Sequence, residues 1–388
     1  MMLTAMRKTF RVAYLLLLTL LLPGVQSVLA AAAPLPAAPS LSARTYLLED
    51  FNSGYVLAEK DADKRMEPAS ITKLMTAYVV FRELKAGRLK MKDEVLISEK
   101  AWRMQGSRTF LEVNTKVPVD TLLQGMITQS GNDATVALAE KVAGTEETFA
   151  SLMNQVAQEL GLKGTHFVNS TGMPDPNHYS TARDIAHLTR ALIRDFPEYY
   201  RYYSEKEFTY NGIHQYNRNK LLWRDKSVDG VKTGHTESAG YCLVSSAKRN
   251  SMRLISVVLE DRSEEARAVS SQALLNYGFR FYETRELYGA DKPLKEVRIW
   301  KGAQSTVPLG LDKDLYVTFP RGQYNRLKAS VNFTPEIVAP VQKGQSFGTL
   351  NVSLDNQVIA ERPLVALQPV EEGGWWQQAT DGVRLWFK

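Results

Sequence analysis

One cysteine, Cys242, stands in 388 residues, so no disulfide can form within the chain and a disulfide-stapled scaffold is excluded. Histidine is also scarce. There are five, none in a His-Glu-x-x-His or comparable spacing, which leaves zinc hydrolysis without support. An excess of one charge is equally lacking. The formal net charge is +6, and Arg7, Lys8 and Arg11 supply three of those charges within an acid-free first forty residues. No basic block with interleaved aromatics remains to track phosphates, so nucleic acid is not expected as a partner. What is present, 44% hydrophobic and 23% charged residues, suits a folded chain of two to three domains with ample core.

Arg7, Lys8 and Arg11 precede the apolar run Val12 to Leu22, which is followed by Pro23-Gly24 and then Val28-Leu29-Ala30. This is the pattern of a secretory signal over 1–30, cleaved before Ala31. The run has 11 residues, short of the ~20 that a membrane span needs. Residues 31–42, rich in Ala and Pro, read as a semi-extended leader. Cys242, in the strand-like Tyr241-Cys242-Leu243-Val244, is expected in the core.

In the mature chain, Tyr46-Leu47-Leu48 and Tyr55-Val56-Leu57 flank Asn52-Ser53-Gly54 and predict a hairpin. Helical spacing of Ile71, Leu74, Met75 and Tyr78 predicts a helix from about Pro68 to Leu84. Further helical runs are expected over 119–126, 133–142, 146–160 and 182–193. A second hairpin is expected over 240–247 and 252–259. A helix from about Glu264 to Tyr277 is expected to stop at Gly278. Strands flanking a helical middle imply an α+β catalytic body over 43–285. After Lys292-Pro293, short alternating runs predict a small all-β domain over 290–370, followed by a tail over 371–388.

Several serines compete as nucleophile. Gly344-Gln345-Ser346-Phe347-Gly348 matches a nucleophile elbow, but a strand-like run follows it where a helix is required, and no histidine follows it at all. Ser-x-x-Lys occurs at Ser70 to Lys73 and again at Ser245 to Lys248. Spacing of three joins side chains on a helix and separates them on a strand, and Ser245 is read at a strand end. Ser70 opens a helix, where its own N–H is unpaired and could stabilise an oxyanion. Taken alone, this motif fits an N-cap serine beside a solvated lysine better than it fits a nucleophile. Two further elements change that weighting. Ser130-Gly131-Asn132 lies in a turn between helical runs, and Lys232-Thr233-Gly234 precedes the 240–247 strand. The glycine there lets a ligand approach the backbone.

Ser-x-x-Lys, Ser-x-Asn and Lys-Thr-Gly in this order form the signature of penicillin-binding proteins and class A β-lactamases. The chain resembles the low-molecular-mass penicillin-binding proteins that act as D-alanyl-D-alanine carboxypeptidases, the penicillin-binding protein 5 and 6 type. The likeness extends to the run Gly172 to Asp184, to Thr236 after Lys-Thr-Gly-His, and to the β domain with its tail. Gly131 stands where class A β-lactamases have Asp, and glycine is usual for the carboxypeptidases.

The resemblance implies a serine β-lactamase/DD-peptidase-like catalytic domain, an antiparallel sheet with helices and an all-helical subdomain. Ser70 would be acylated, Lys73 would take its proton, Ser130 would relay a proton to the leaving amine, and Asn132 would hold the substrate amide. Lys232 would add positive field, Thr233 and Arg267 would grip the terminal carboxylate, and the N–H groups of Ser70 and His235 would form the oxyanion hole, with Gly234 between. Lysine chemistry agrees: burial beside a second cation such as Lys232 is what makes an ammonium give up its proton. The implied substrates are peptidoglycan pentapeptide stems in the periplasm. β-Lactam antibiotics would be covalent inhibitors, and no metal or cofactor is implied.

Three alternatives stay open. A serine β-lactamase needs a deacylating base, in class A a glutamate, and Phe167 to Asp184 contains none. A non-catalytic wall-binding protein would be expected to have lost one of Ser70, Lys73, Ser130 or Lys232. A DD-endopeptidase would use the same residues.

The tail predicts an amphipathic helix lying on the outer face of the inner membrane. Trp375, Trp376, Ala379, Gly382, Val383, Trp386 and Phe387 fall on one face, and Gln377, Asp381, Arg384 and Lys388 on the other. The opposing expectation packs that aromatic stripe on the β domain. Gly373-Gly374 is expected to loosen the helix from the domain before it.

Overall fold

A computed structural model describes residues 35–334 and 336–386. The expected signal over 1–30, and Phe387 and Lys388 of the tail, lie outside the described residues. Among these residues, five strands form an antiparallel sheet in the order Val56–Lys60, Thr45–Asp50, Met252–Asp261, Gly240–Arg249, Val228–Thr236. Their sequences are apolar at consecutive positions because both faces are covered. Leu47, Ile255 and Val257 enter the core shared with the helices of the middle segment. Leu48, Leu254 and Val258 enter the core beneath the helix Glu264–Phe281. Ala38 and Leu41, in the expected leader, pack against that second core.

The helical middle is built around Lys73–Lys85, which a 3₁₀ turn, Ala69–Thr72, precedes. Its apolar spacing suggests one buried stripe, yet every residue from Lys73 to Phe81 is buried. The helices Asn132–Ala143, Glu146–Glu159 and Ala182–Asp195 pack around it, so it is the axis of this layer. Thr145 and Thr181 cap the last two by accepting from the N–H three residues on.

Two local expectations are corrected. The Glu264–Phe281 helix does not stop at Gly278 but runs through it. A Cβ at Gly278 would stand 2.5 Å from Leu254 Cδ1, so this glycine serves close helix–sheet packing and not termination. Ser245 lies in the middle of Gly240–Arg249 and not at its end. It is fully buried while Lys248 is exposed, so that Ser-x-x-Lys pair is still separated by the strand.

The C-terminal region holds a six-stranded sheet in the order Leu327–Phe333, Ser346–Leu354, Gln357–Ala366, Thr306–Gly310, Pro293–Trp300, Ile337–Val338. Tyr282–Tyr288, straddling the boundary expected near 285–290, pairs with Leu315–Pro320 of this region. Ser346 of the rejected elbow is exposed at the start of its strand. A buried polar cluster joins the two regions: Thr284 donates to Asp50 at 2.7 Å, and Thr318 lies 2.6 Å from Ser53 and 2.7 Å from Thr284.

The last helix, Trp375–Trp386, has its aromatic stripe outward: Trp375 and Trp376 are 68% exposed and Trp386 84%. Asp381, expected on the solvent side, is instead buried. It accepts the Lys301 backbone N–H at 2.8 Å and a bond from Arg298 at 3.4 Å. Nor is Gly373-Gly374 a loose tether. Gly373 N–H donates to Lys301 O at 2.8 Å, and a Cβ on Gly373 would meet Gly302 O at 2.8 Å.

Candidate active site

Ser70 sits in the 3₁₀ turn ahead of Lys73–Lys85, where Ile71 N–H to Pro68 O, 3.0 Å, is the first bond along the turn. The Ser70 N–H precedes that bond and is left for another acceptor. Two close contacts hold the turn. On one side a Cβ on Gly172, whose φ is +86°, would stand 1.8 Å from Ala69 O. On the other, a Cβ on Gly234 would stand 3.0 Å from Pro68 O and 3.3 Å from Ala69 Cβ. The glycine of Lys-Thr-Gly thus admits the nucleophile's own turn to the edge strand Val228–Thr236.

Lys73, one residue past this turn, is fully buried and donates three hydrogen bonds: to Ser70 Oγ at 3.0 Å, Asn132 Oδ1 at 2.7 Å and Thr171 O at 2.7 Å. Burial, and then the Arg218 guanidinium, bring its pKa down from the ordinary lysine value to about 7, against the opposing pull of Asp133 and Glu146. Lys232 is also buried, donates to Thr233 O at 3.0 Å, and is pushed well down by burial and by Lys73, Arg218 and Arg267. The second cation expected beside Lys73 is therefore a cluster, in which Arg218 was not foreseen.

Ser130 follows the π-type turn Gly125–Gln129 and adopts a left-handed φ of +67°. Its Oγ is buried without a hydrogen-bond partner among the described residues. Asn132 begins the next helix. Its Nδ2 donates to Gln105 O at 2.6 Å, and its N–H to Ser107 O at 2.7 Å. Asp133 accepts the N–H groups of Thr109 and Leu111, at 2.8 and 3.1 Å, which fixes the loop carrying Gly106 and Ser107.

A cleft of about 400 Å³ opens in front of the Ser70 turn. Ser70, Ser130 and Asn132 lie along it with Thr171 and Gly172, and Thr233, Gly234, His235 and Arg267 are joined there by Arg218 and Glu264. Arg267 is buried, donates to Gly234 O at 3.1 Å, and lies 3.7 Å from Glu264 Oε1. His235 is exposed at the rim, its ring 4.1 Å from that of Tyr241. The structure brings all nine expected residues together, though Lys73 and Lys232 stand behind the cleft wall. Cys242 is buried and its thiol is pushed up to about 11, as a core residue should be. Sequence reasoning missed Arg218, Thr171, Asp133 and Glu146. Arg218 lies between two asparagines with no motif to mark it, and Thr171 acts through a main-chain carbonyl that any residue type would supply.

Residues 32–263 match the D-alanyl-D-alanine carboxypeptidase family, peptidase S11. The chain belongs to that family. Residues 282–372 match the penicillin-binding protein 5 C-terminal domain. The D-alanyl-D-alanine carboxypeptidase DacA of Escherichia coli is 46% identical over 361 residues, covering 91% of this chain and 90% of that protein. The crystal structure of penicillin-binding protein 5 from Haemophilus influenzae superposes with a TM-score of 0.84 at 44% identity, covering 87% of this chain and all of that one. Penicillin-binding protein D2 from Listeria monocytogenes, solved in an ampicillin-bound form, matches 63% of this chain at 30% identity with a TM-score of 0.58. The carboxypeptidase resemblance read from the motifs is borne out, as is the fold.

Proposed function

We propose that this hydrolase removes the terminal D-alanine from peptidoglycan pentapeptide stems through an acyl-enzyme on Ser70. The observation that carries the assignment is the 3.0 Å contact between Ser70 Oγ and a fully buried Lys73 Nζ. A lysine with a pKa near 7 is a free amine in much of the population at neutral pH and can accept the hydroxyl proton. Oγ then bonds to the penultimate carbonyl carbon while the N–H groups of Ser70 and His235 hold the oxyanion. The proton on Lys73 passes through Ser130, whose buried hydroxyl has no competing partner among the described residues, to the leaving amine. The C–N bond breaks and D-alanine departs. Water then cleaves the ester, returning the Ser70 proton and releasing the shortened stem.

Asn132 holds the substrate amide, and Thr233 and Arg267 the carboxylate of the departing residue. A buried guanidinium at the edge of such a cleft is the group suited to a terminal carboxylate. A β-lactam presents an equivalent amide and carboxylate and acylates the same serine. The carboxylate that does line the cleft, Glu264, stands beside Arg267. The penicilloyl ester is accordingly expected to be hydrolysed slowly.

The outward aromatic stripe of Trp375–Trp386 supports peripheral attachment to the outer face of the inner membrane, with the β domain, proposed over 290–370, as spacer. No helix among the described residues is long and apolar enough to cross a membrane. The deciding experiment incubates purified protein with a pentapeptide ending in D-Ala-D-Ala and, separately, with penicillin. Release of D-alanine with slow penicillin turnover supports the assignment. Rapid penicillin turnover without D-alanine release overturns it.

A further inference from the structure

The wall of the cleft that supplies Thr171 O to Lys73 is held by a carboxylate outside the cleft. Glu146, the first residue of the helix Glu146–Glu159, is buried. Its Oε1 accepts both the N–H of Ser170 at 3.1 Å and its hydroxyl at 2.7 Å. The carbonyl of Ser170 in turn accepts from Thr76 Oγ1 at 2.6 Å, one turn beyond Lys73 on the central helix. The next carbonyl, that of Thr171, accepts from Lys73 Nζ at 2.7 Å. The other carboxylate oxygen of Glu146 lies 3.1 Å from Lys100 Nζ, which is 43% exposed and also pairs with Glu147. One chain of contacts therefore runs from a surface lysine to the lysine beside Ser70.

We propose that Glu146 is a positioning residue for the carboxypeptidase reaction: through Ser170 it holds the Thr171 carbonyl on Lys73, and its buried carboxylate links that lysine to the Lys100 ammonium at the surface. This rests on the reading of Lys73 as proton acceptor. The charged groups that face Lys73 are Arg218 and Lys232 across the cleft, Asp133 on the neighbouring helix, and Glu146. His178, behind the Ser70 turn, accepts or donates one bond with Thr72 at 2.8 Å, and burial pushes it down to about 4, so it is neutral at working pH. Two cations and the burial of Lys73 favour its free amine, and two carboxylates favour the ammonium. Asp133 is already committed to the Thr109 and Leu111 N–H groups, so Glu146 is the member of the pair joined to the surface through a removable counterion.

The geometry separates position from charge. Glu146→Gln keeps an acceptor for Ser170 but removes the anion, whereas Glu146→Ala removes both. Lys100→Met leaves the Glu146 anion without its surface counterion. The measurement is the rate of acylation by a fluorescent penicillin from pH 5.5 to 9.5, with thermal melts alongside. Glu146→Gln is expected to move the rising limb to lower pH by roughly half a unit, less than the one to three of a contacting charge. Its plateau rate should be close to wild type. Lys100→Met should move the limb the opposite way. Glu146→Ala should lower the plateau itself by roughly tenfold or more, the scale lost when reacting groups drift from register. A limb that stays in place in both Glu146→Gln and Lys100→Met, with only the melting temperature altered, overturns the proposal. Absence of any rising limb in the wild type would instead overturn Lys73 as the base, which keeps the two failures distinct.

Discussion

Gly234 and Pro68 approach so closely that a Cβ on the glycine would stand 3.0 Å from the Pro68 carbonyl oxygen. This contact joins the edge strand of the sheet to the turn that carries Ser70, and Gly172 closes on the same turn from the opposite side. The nucleophile is thus clamped between two glycines that lie 62 residues apart in the chain. Gly234→Ala requires a shift of a few tenths of an ångström, and Gly172→Ala meets backbone at 1.8 Å with a φ of +86°. Gly172→Ala should therefore cost roughly 2 kcal/mol of stability or more, the scale of a strained backbone position plus a clash. Gly234→Ala should melt near wild type yet acylate more slowly. Melting curves and penicillin labelling rates check both; equal, unchanged rates would show that the turn tolerates displacement.

Acylation should rise through a midpoint near pH 7 and level off above it. Lys73 must be neutral to accept the Ser70 proton, and burial places its pKa at about 7, so the competent form accumulates as pH increases through that value. Stopped-flow labelling between pH 5.5 and 9.5 provides the test. A rate that falls across this range would exclude a lysine base.

Arg218 lowers the proton affinity of both Lys73 and Lys232 and lines the cleft as well. Arg218→Gln should shift the acylation limb to higher pH, by up to about one unit for a nearby charge removed. Affinity for a carboxylate-bearing peptide should fall in the same variant. A limb unchanged in position would mean that solvent screens Arg218 from Lys73.

Arg267→Ala should reduce kcat/KM on a pentapeptide by roughly thirtyfold, about 2 kcal/mol, the scale of a charge-assisted hydrogen bond. The same peptide amidated at its C-terminus should be a poor substrate for the wild type and little changed by the substitution. Equal losses on both peptides would assign Arg267 to structure, through its bond to Gly234 O.

The chemistry was legible in the sequence because its three short motifs each carry their own local geometry. Ser70 and Lys73 meet on one helical turn, Ser130 and Asn132 flank a tight turn, and Lys232 to Gly234 occupy a strand. What escaped depends on contacts between distant segments. Thr171 contributes a carbonyl, which sequence does not distinguish, and Glu146 and Arg218 reach the site from surface-like polar runs. Punctuation by glycine also misleads. Gly278 carries the same letter as a helix stop, yet it lies against Leu254 in mid-helix, and only the sheet beneath reveals the reason.

The tail offers the last test, because its polar face and its aromatic face do different things. Asp381 is buried and takes the Lys301 N–H at 2.8 Å, which docks the helix on the β domain. With that side docked, Trp375, Trp376, Val383 and Trp386 are turned outward, and Trp375 stacks on Trp376 at 3.8 Å. Indole rings in this arrangement suit the lipid headgroup boundary, where an apolar body and an N–H donor are both accommodated. Replacing Trp375, Trp376 and Trp386 together by Ser should abolish sedimentation with anionic lipid vesicles. The fold, the melting temperature and hydrolysis of a soluble pentapeptide should be unaffected. Asp381→Ala should act differently: it leaves the Lys301 N–H without its acceptor and frees the helix. It should lower stability by roughly 1–3 kcal/mol, the penalty for an unsatisfied buried group, while the released stripe still binds vesicles. If the triple Trp variant instead unfolds, the stripe belongs to the core of the domain and the membrane assignment fails. If the variant is folded and still sediments, another surface holds the protein to lipid.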